Sequence, residues 1–205
     1  MIAGIILAAG ASRRMGQPKQ LLPLAGKPMV WHVAAAACQS SLDAVFLVTG
    51  AGADAVRTAV EELPLSCIHN ENWEAGQSGS VTTGLKELAP DTKAVMFLLA
   101  DQPLITPELI DALINAYHRS TQSIICPCHA GQRGNPVLFG YREWKSALCQ
   151  LSGDQGARQI IAGHPESLLQ VPVDSAKFFW DVDTEADYQR VSNELSRRDG
   201  SGEHR

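Results

Sequence analysis

Apolar runs alternate with helical patterns along the first 125 residues, and this alternation constrains the fold more than any other feature of the sequence. A β-α-β-α order of this kind predicts a three-layer α/β fold around a mostly parallel, doubly wound sheet. The run AVMFLLA is apolar throughout, as expected for a strand in the middle of such a sheet. The predicted strands are residues 2–7, 44–49, 65–69, 94–100 and 123–126, and the predicted helices are residues 28–38, 53–63, 78–88 and 106–118.

The pattern after residue 125 is less regular. Two strands are expected, in the segment GNPVLFG and over residues 168–173, with short helices over 144–151 and 155–162. A closing helix over 184–196 begins with Thr184 and Asp187, which fit a capping box. Neither a repeat nor a linker divides the sequence, so we expect one domain over residues 1–198 and a polar tail over 199–205.

Composition and charge argue against several classes of protein. A net charge of −5 gives no basic surface for nucleic acid, and no apolar run is long enough to cross a membrane. The N-terminus lacks the pattern of a signal peptide, so a cytoplasmic location is expected. The five cysteines include no CxxC pair, which argues against a disulfide framework. Cys126 and Cys128 are two residues apart. This spacing fits two reduced thiols near a strand end, and it also fits a contact with a metal.

The stretch LAAGASRRMGQPK follows the first predicted strand and combines small residues with basic ones. Backbone N–H groups in such a loop can form an anion site, and Arg13 and Lys19 can neutralise phosphate oxygens. The stretch matches neither the P-loop pattern nor the dinucleotide-binding pattern GxGxxG. A solvated turn remains the alternative, but ligands bind at the carboxyl ends of strands in sheets of this kind.

Aspartates mark a second candidate site. Asp101 follows the most apolar strand, and the segment WDVDTEAD contains Asp181 and Asp183. Mg²⁺ in proteins is commonly bound by one or two carboxylates together with substrate phosphates. Asp101 and Asp183 would form such a site if the C-terminal segment lay beside strand 94–100. The alternative for Asp183 is that it only caps the final helix.

These residues lie in motifs that resemble the MobA-like nucleotidyltransferase family. LAAGASRRMGQPKQLLPLAGKP is similar to the family signature, and the likeness continues through NENWEAGQSGSVTTGL, LLADQPLITPELI, GQRGNPVLF, LSGDQGAR and DVDTEADY. The later motifs are most similar to the molybdenum cofactor cytidylyltransferase branch, which includes relatives that serve the maturation of molybdenum hydroxylases. The resemblance implies transfer of CMP from CTP, with Mg²⁺, to the terminal phosphate of Mo-molybdopterin, with release of pyrophosphate. An apo-molybdenum hydroxylase is then a possible partner.

The resemblance also implies roles for individual residues. Arg13, Lys19 and Asp101 would act in catalysis, and Asp101 and Asp183 would hold Mg²⁺, with Asp183 favoured over Asp181 by its position. The nucleotide would contact Leu7, Ala8, Ala9, Gly10, Arg13, Lys19, Ser78, Gly79 and Ser80. The acceptor would contact Gly134, Asn135, Pro136, Asp154 and Arg158.

The base and the acceptor leave alternatives open. Family members that use GTP tend to have LAGG where this chain has LAAG, so the methyl group of Ala9 favours the smaller pyrimidine of CTP. A nucleotidyltransferase with another phosphorylated acceptor, or with GTP as donor, is one alternative. A carrier that binds the molybdenum cofactor without catalysing transfer is the other.

Overall fold

A central sheet covered by helices on both faces organises the part of the chain that the structure describes. The computed structural model describes residues 1–10, 18–153 and 157–200, except for the side chains of 198–200. Within these residues the strands are β1 (Ile2–Ala8), β2 (Pro23–Leu24), β3 (Lys27–Pro28), β4 (Ala44–Thr49), β5 (Ser66–His69), β6 (Ala94–Leu99), β7 (Ile124–His129), β8 (Gln132–Arg133), β9 (Val137–Gly140) and β10 (Leu168–Pro172). The helices are α1 (Met29–Gln39), α2 (Ala53–Ala59), α3 (Gln77–Lys86), α4 (Pro107–Arg119), α5 (Tyr141–Cys149), α6 (Arg158–Gly163) and α7 (Glu185–Gly200).

The sheet has the strand order β10-β7-β9-β6-β1-β4-β5, with β8 paired to β7. β1 pairs in parallel with both β4 and β6, and β10 pairs in parallel with β7. β9 is antiparallel to its neighbours β6 and β7, so its first residue, Val137, lies at the edge where those strands end. The predicted mostly parallel, doubly wound sheet is therefore confirmed, and the structure adds one antiparallel strand in its middle.

Two apolar clusters fill the spaces above and below the sheet. Val33 on α1, Val56 on α2 and Leu113 on α4 belong to the cluster on one face. Val81 on α3 and Trp144 on α5 belong to the cluster on the other face. The arrangement is the predicted three-layer one, because α1, α2 and α4 cover one face of the sheet and α3, α5 and α6 cover the other.

Helix boundaries follow local signals. The Thr106 side chain accepts a hydrogen bond from the backbone N–H of Leu109 at 3.4 Å, which confirms it as the N-cap of α4. Thr184 and Asp187 exchange hydrogen bonds at the start of α7, as the capping box predicts. α2 ends at Ala59, before the predicted end at residue 63, in a segment that leads to Pro64. Proline disfavours helical geometry in the residue before it.

A third apolar cluster joins α7 to the segments that contain β2 and the residues after β6. Val191 and Leu195 on α7 pack with Leu24 on β2 and with Leu104, which follows β6. This contact places the segment before α7 beside the carboxyl end of β6.

Among the residues that the structure describes, no helix combines the length and the apolar character needed to cross a membrane.

Candidate functional site

Two aspartates and a lysine meet at the carboxyl edge of the sheet. Asp101 follows β6, and its carbonyl accepts a hydrogen bond from the Val182 N–H at 3.0 Å, so the C-terminal segment runs directly beside it. Lys19 Nζ donates to Asp101 Oδ2 at 2.8 Å and to Asp183 Oδ1 at 2.7 Å. The structure thus brings together three of the residues that the sequence singled out.

The charges in this cluster influence one another. Desolvation alone would lower the pKa of Lys19, but the charges and hydrogen bonds of Asp101 and Asp183 outweigh it and raise that pKa. Lys19 is therefore an ammonium ion at neutral pH. Desolvation, with the negative charges of Asp101 and Asp183, raises the pKa of Asp181. Asp183 contacts Lys19 directly, and its preference over Asp181 as a metal ligand stays a prediction.

One oxygen of the cluster lacks a partner. Asp101 Oδ1 is buried and has no hydrogen-bond partner among the residues that the structure describes. A buried oxygen of this kind is unfavourable unless a ligand satisfies it. Two carboxylates suit Mg²⁺, which prefers oxygen ligands and completes its octahedron with phosphates and water. Across residues 1–10, 18–153 and 157–200, no group of three or more His, Cys, Asp or Glu side chains could hold a metal ion. The chemistry of the pair therefore fits a metal ion shared with a substrate.

The start of the LAAG loop is fixed by a residue that the sequence analysis missed. Gln20 is 3% exposed, and its Nε2 donates to the carbonyl oxygens of Ala8 at 3.3 Å and Gly10 at 3.0 Å. This amide joins the end of β1 to the 3₁₀ turn Lys19–Leu21. The only sequence signal was its place beside Lys19 in the family signature. Arg13 lies outside the described residues.

Ala9 packs against the neighbouring strand end. It is 7% exposed, and a Cβ atom built on Gly50 would lie 2.8 Å from the Ala9 methyl group and 2.7 Å from the Ala9 carbonyl oxygen. The same Cβ would lie 2.6 Å from Cβ of Trp73. Glycine at position 50 therefore lets the loops after β1 and β5 approach each other, and most of the Ala9 methyl is covered.

Residues 78–80 lie in the first turns of α3, beside the loop after β5. Ser80 is 3% exposed, and its hydroxyl accepts a hydrogen bond from Asn70 Nδ2 at 3.1 Å. The Ser78 N–H donates to the carbonyl of Gly153 at 3.1 Å, and Gly79 lies next to the Asn70 amide. Both hydroxyl-bearing residues are thus largely buried. Asn70, which begins the NENW motif, was not assigned a role from the sequence.

A cavity of about 260 Å³ lies on the face of the sheet covered by α3 and α6, and Leu7 and Leu99 near the ends of β1 and β6 contribute to its lining. Its lining is mainly apolar, and Gln77, Asn135 and Arg158 supply polar groups. Leu7, predicted to line the nucleotide base, also lies in this cavity. The apolar lining is completed by Val81, Phe97, Leu99, Val137, Phe139, Ala157 and Ile161.

The other residues predicted to contact the acceptor are placed differently. Gly134 lies against the ring of Phe179, because a Cβ built on Gly134 would be 2.1 Å from Cδ1 of that ring. Pro136 follows Asn135 through a cis peptide bond. Asp154 lies outside the described residues.

Cys126 and Cys128 do not share one environment. Cys126 is 1% exposed within the apolar cluster, and burial raises its pKa to about 11. Cys128 is partly exposed. Cys126 therefore fits the interpretation as a buried structural thiol.

Comparison with known proteins identifies the family. The sequence model of the MobA-like NTP transferase domain matches residues 4–169, which is most of the chain. The chain belongs to the MobA-like NTP transferase family. It is accordingly a nucleotidyltransferase, as the resemblance implied.

Curated relatives of this MobA-like protein have different names. Nicotine blue oxidoreductase from Paenarthrobacter nicotinovorans is 27% identical over 190 residues, which cover 89% of this chain and 92% of the relative. The bifunctional protein GlmU from Legionella pneumophila is 36% identical over 117 residues, which cover 56% of this chain and 25% of GlmU. The match to GlmU therefore concerns one part of a longer protein.

Solved structures share the whole fold. A homologue of Rv0371c from Mycobacterium sp. strain JC1 is 30% identical, has a TM-score of 0.85, and is matched over 96% of this chain and 98% of its own. Rv0371c from Mycobacterium tuberculosis in complex with manganese is 27% identical, with a TM-score of 0.77 over 94% and 98% of the two chains. A nucleotidyl transferase from Methanothermobacter has a TM-score of 0.83 over 97% and 99% of the chains, but its 20% identity supports the fold alone.

Proposed function

We propose that this MobA-like nucleotidyltransferase transfers CMP from CTP to the terminal phosphate of Mo-molybdopterin, forming molybdopterin cytosine dinucleotide and releasing pyrophosphate. The observation that carries the proposal is the meeting of Lys19, Asp101 and Asp183 beside the LAAG loop. Transfer to a phosphate brings two anionic substrates together, and this cluster can supply the cations that such an encounter needs. The proposal gives the chain an apo-molybdenum hydroxylase as a possible partner.

Each residue of the cluster has a role in the proposal. Asp101 and Asp183 would hold Mg²⁺, which supplies a Lewis acid for the phosphate oxygens when bound. Lys19, with Arg13 by family position, would neutralise the triphosphate and the pyrophosphate that leaves. The backbone of Ala8, Gly10 and Gly79 would approach the nucleotide closely, because small residues leave room there. An ionised phosphate is already a nucleophile, so the reaction needs no general base.

The acceptor is assigned to the cavity that contains Asn135 and Arg158. A mainly apolar lining suits a flat ring system, and the Arg158 guanidinium suits the negative charge of a phosphorylated acceptor. Gly134, Pro136 and Asp154 would belong to its surroundings by family position. Gly134 contributes by supporting Phe179, as its contact with that ring suggests.

The preference for CTP rests on Ala9. The methyl group is mostly covered and lies toward Gly50, so the proposed preference is carried over from the family position of Ala9. We expect Ala9→Gly to narrow the preference for CTP over GTP in pyrophosphate release. If the ratio of the rates with CTP and with GTP is unchanged, Ala9 does not contribute to base selection.

The name of one relative provides a second activity to be tested. The relative from Paenarthrobacter nicotinovorans is named an oxidoreductase and matches most of this chain. An oxidation or reduction of nicotine blue releases no pyrophosphate, and binding of the cofactor by a carrier releases none either. One assay therefore separates these functions.

The test is pyrophosphate release from CTP, and separately from GTP, with Mg²⁺ and Mo-molybdopterin. The proposal is supported if pyrophosphate is released with CTP and the release is lost in Asp101→Asn but retained in Asp54→Asn. Asp54 is the matched control, because it is a fully exposed carboxylate on α2. If the protein binds CTP but releases no pyrophosphate, another phosphorylated acceptor is favoured. If the protein releases no pyrophosphate and binds no nucleotide, the carrier is favoured. Reduction of nicotine blue in a separate assay with an added reductant would favour the oxidoreductase.

A further inference from the structure

The Lys19 ammonium group fills the space between the two carboxylates that the proposed function assigns to a metal ion. Its Nζ lies within 2.8 Å of Asp101 Oδ2 and 2.7 Å of Asp183 Oδ1. These are the distances of charge-assisted hydrogen bonds. A divalent ion bound by both carboxylates needs the same space, so the ion and the ammonium group exclude each other.

We propose that Lys19 is an internal substitute for the divalent ion. It holds Asp101 and Asp183 together in the free protein, and it leaves them for the substrate phosphates when the ion binds. This inference rests on the proposed function, because it needs the metal site and the phosphates that the function assigns.

The surrounding contacts allow this exchange without movement of the backbone. The Gln20 amide fixes the turn that carries Lys19, and the Val182 N–H fixes the backbone of Asp101. The lysine side chain is a flexible four-carbon stem with three donors, so its end can turn while its Cα stays in place. The second oxygen of Asp101, Oδ1, is already buried, and no described residue forms a hydrogen bond with it.

The charges favour the exchange only when phosphates are present. Two carboxylates and one ammonium group leave a charge of −1, whereas two carboxylates and a divalent ion are neutral. The displaced ammonium group then needs an anion, which the triphosphate provides. The divalent ion and the nucleotide should therefore strengthen each other's binding, and the free protein should bind the ion weakly.

The test measures Mn²⁺ binding without nucleotide, by the electron paramagnetic resonance signal of free Mn²⁺. Lys19→Met should bind Mn²⁺ at least about tenfold more tightly than the unmodified protein, the order expected when one like charge a few ångströms away is removed. Lys27→Met is the matched control, because Lys27 pairs with Glu62 on the surface at 2.7 Å. It should leave Mn²⁺ affinity unchanged.

A thermal measurement checks the same exchange in a second way. Lys19→Met and Lys19→Gln remove the ammonium group that contacts both carboxylates, so both variants should melt below the unmodified protein. Saturating Mg²⁺ should raise their Tm more than it raises the Tm of the unmodified protein. Circular dichroism confirms that each variant is folded.

The outcomes separate this inference from the proposed function. If Lys19→Met binds Mn²⁺ no more tightly and Asp101→Asn abolishes binding, the metal site stands and the substitute role of Lys19 is wrong. If Asp101→Asn and Asp183→Asn both leave Mn²⁺ binding unchanged, the metal assignment fails and the substitute role fails with it. Tighter binding in Lys19→Met that disappears in Lys19→Met/Asp101→Asn supports both.

Discussion

Replacing Gly134 with alanine should disturb the site from a distance. The new Cβ would lie 2.1 Å from Cδ1 and 2.3 Å from Cε1 of the Phe179 ring. An ordinary contact begins at 3.4 Å, so the ring must move by about 1.3 Å. Phe179 ends the turn Ala176–Phe179, shortly before Asp181 and Asp183 in the chain. The part of the clash that the ring cannot relieve by turning should displace the backbone of this turn, and we expect that displacement to shift Asp183 relative to Lys19.

The size of the effect follows from this geometry. Overpacking of this kind costs about 1–3 kcal/mol. Phe179 is only half-buried and can relieve part of the clash by turning outward, which favours the lower part of that range. For a chain of 205 residues, about 1–2 kcal/mol lowers Tm by roughly 2–8 °C. A displacement of about 1 Å at a reacting group lowers turnover by as much as about a hundredfold, so activity should fall more than stability.

The assay compares thermal unfolding and pyrophosphate release in Gly134→Ala and Gly163→Ala. Gly163 ends α6, and a Cβ there meets no atom within 4 Å, so this control should melt and turn over normally. An unchanged Tm in Gly134→Ala would refute the packing argument. A rise in the acceptor's KM with unchanged kcat would show that Gly134 faces the acceptor directly, as the family resemblance implied.

Two other predictions follow from buried groups. The Cys126 thiol, with its pKa raised to about 11, should resist iodoacetamide at about pH 8 in the folded protein, whereas the exposed Cys149 should react first. Peptide mass spectrometry identifies which cysteine is labelled. Early labelling of Cys126 would contradict its burial. Asn70→Ala removes the buried amide that bonds to the Ser80 hydroxyl and the Asn72 N–H, and should lower the free energy of unfolding in urea by about 1–3 kcal/mol. The control Asn193→Ala, at an exposed position, should be nearly neutral. Equal stabilities of the two variants would show that water replaces the Asn70 amide.

The elements defined by local signals were predictable from the sequence. Thr106 followed by proline marked the start of α4, and an unbroken apolar run marked β6. β9 was predicted as a strand, but its antiparallel position between β6 and β7 was not. Its four residues are all buried, and an apolar run of this length contains no information about the direction of its neighbours.

The site was predictable in its chemistry but not in its contacts. The motifs predicted that Asp101 and Asp183 would meet, and in the structure both contact the Lys19 ammonium group, whereas the Mg²⁺ site itself stays a prediction. The sequence analysis assigned Lys19 to phosphate and did not predict that its ammonium group joins those carboxylates. The roles of Gln20 and Gly134 depend on tertiary contacts that have no local pattern.

The ion pair between Lys19 and Asp183 joins residues 164 positions apart. A ribosome that has synthesised the first 180 residues has therefore made Lys19 and Asp101, and the sheet that carries them, but not the second carboxylate. An incomplete chain of this kind has one carboxylate for the Lys19 ammonium group and lacks the α7 contacts that hold the last segment in place. The charged cluster can consequently form only after residue 183 has been translated, and a product terminated before that residue contains the N-terminal loop without the complete cluster.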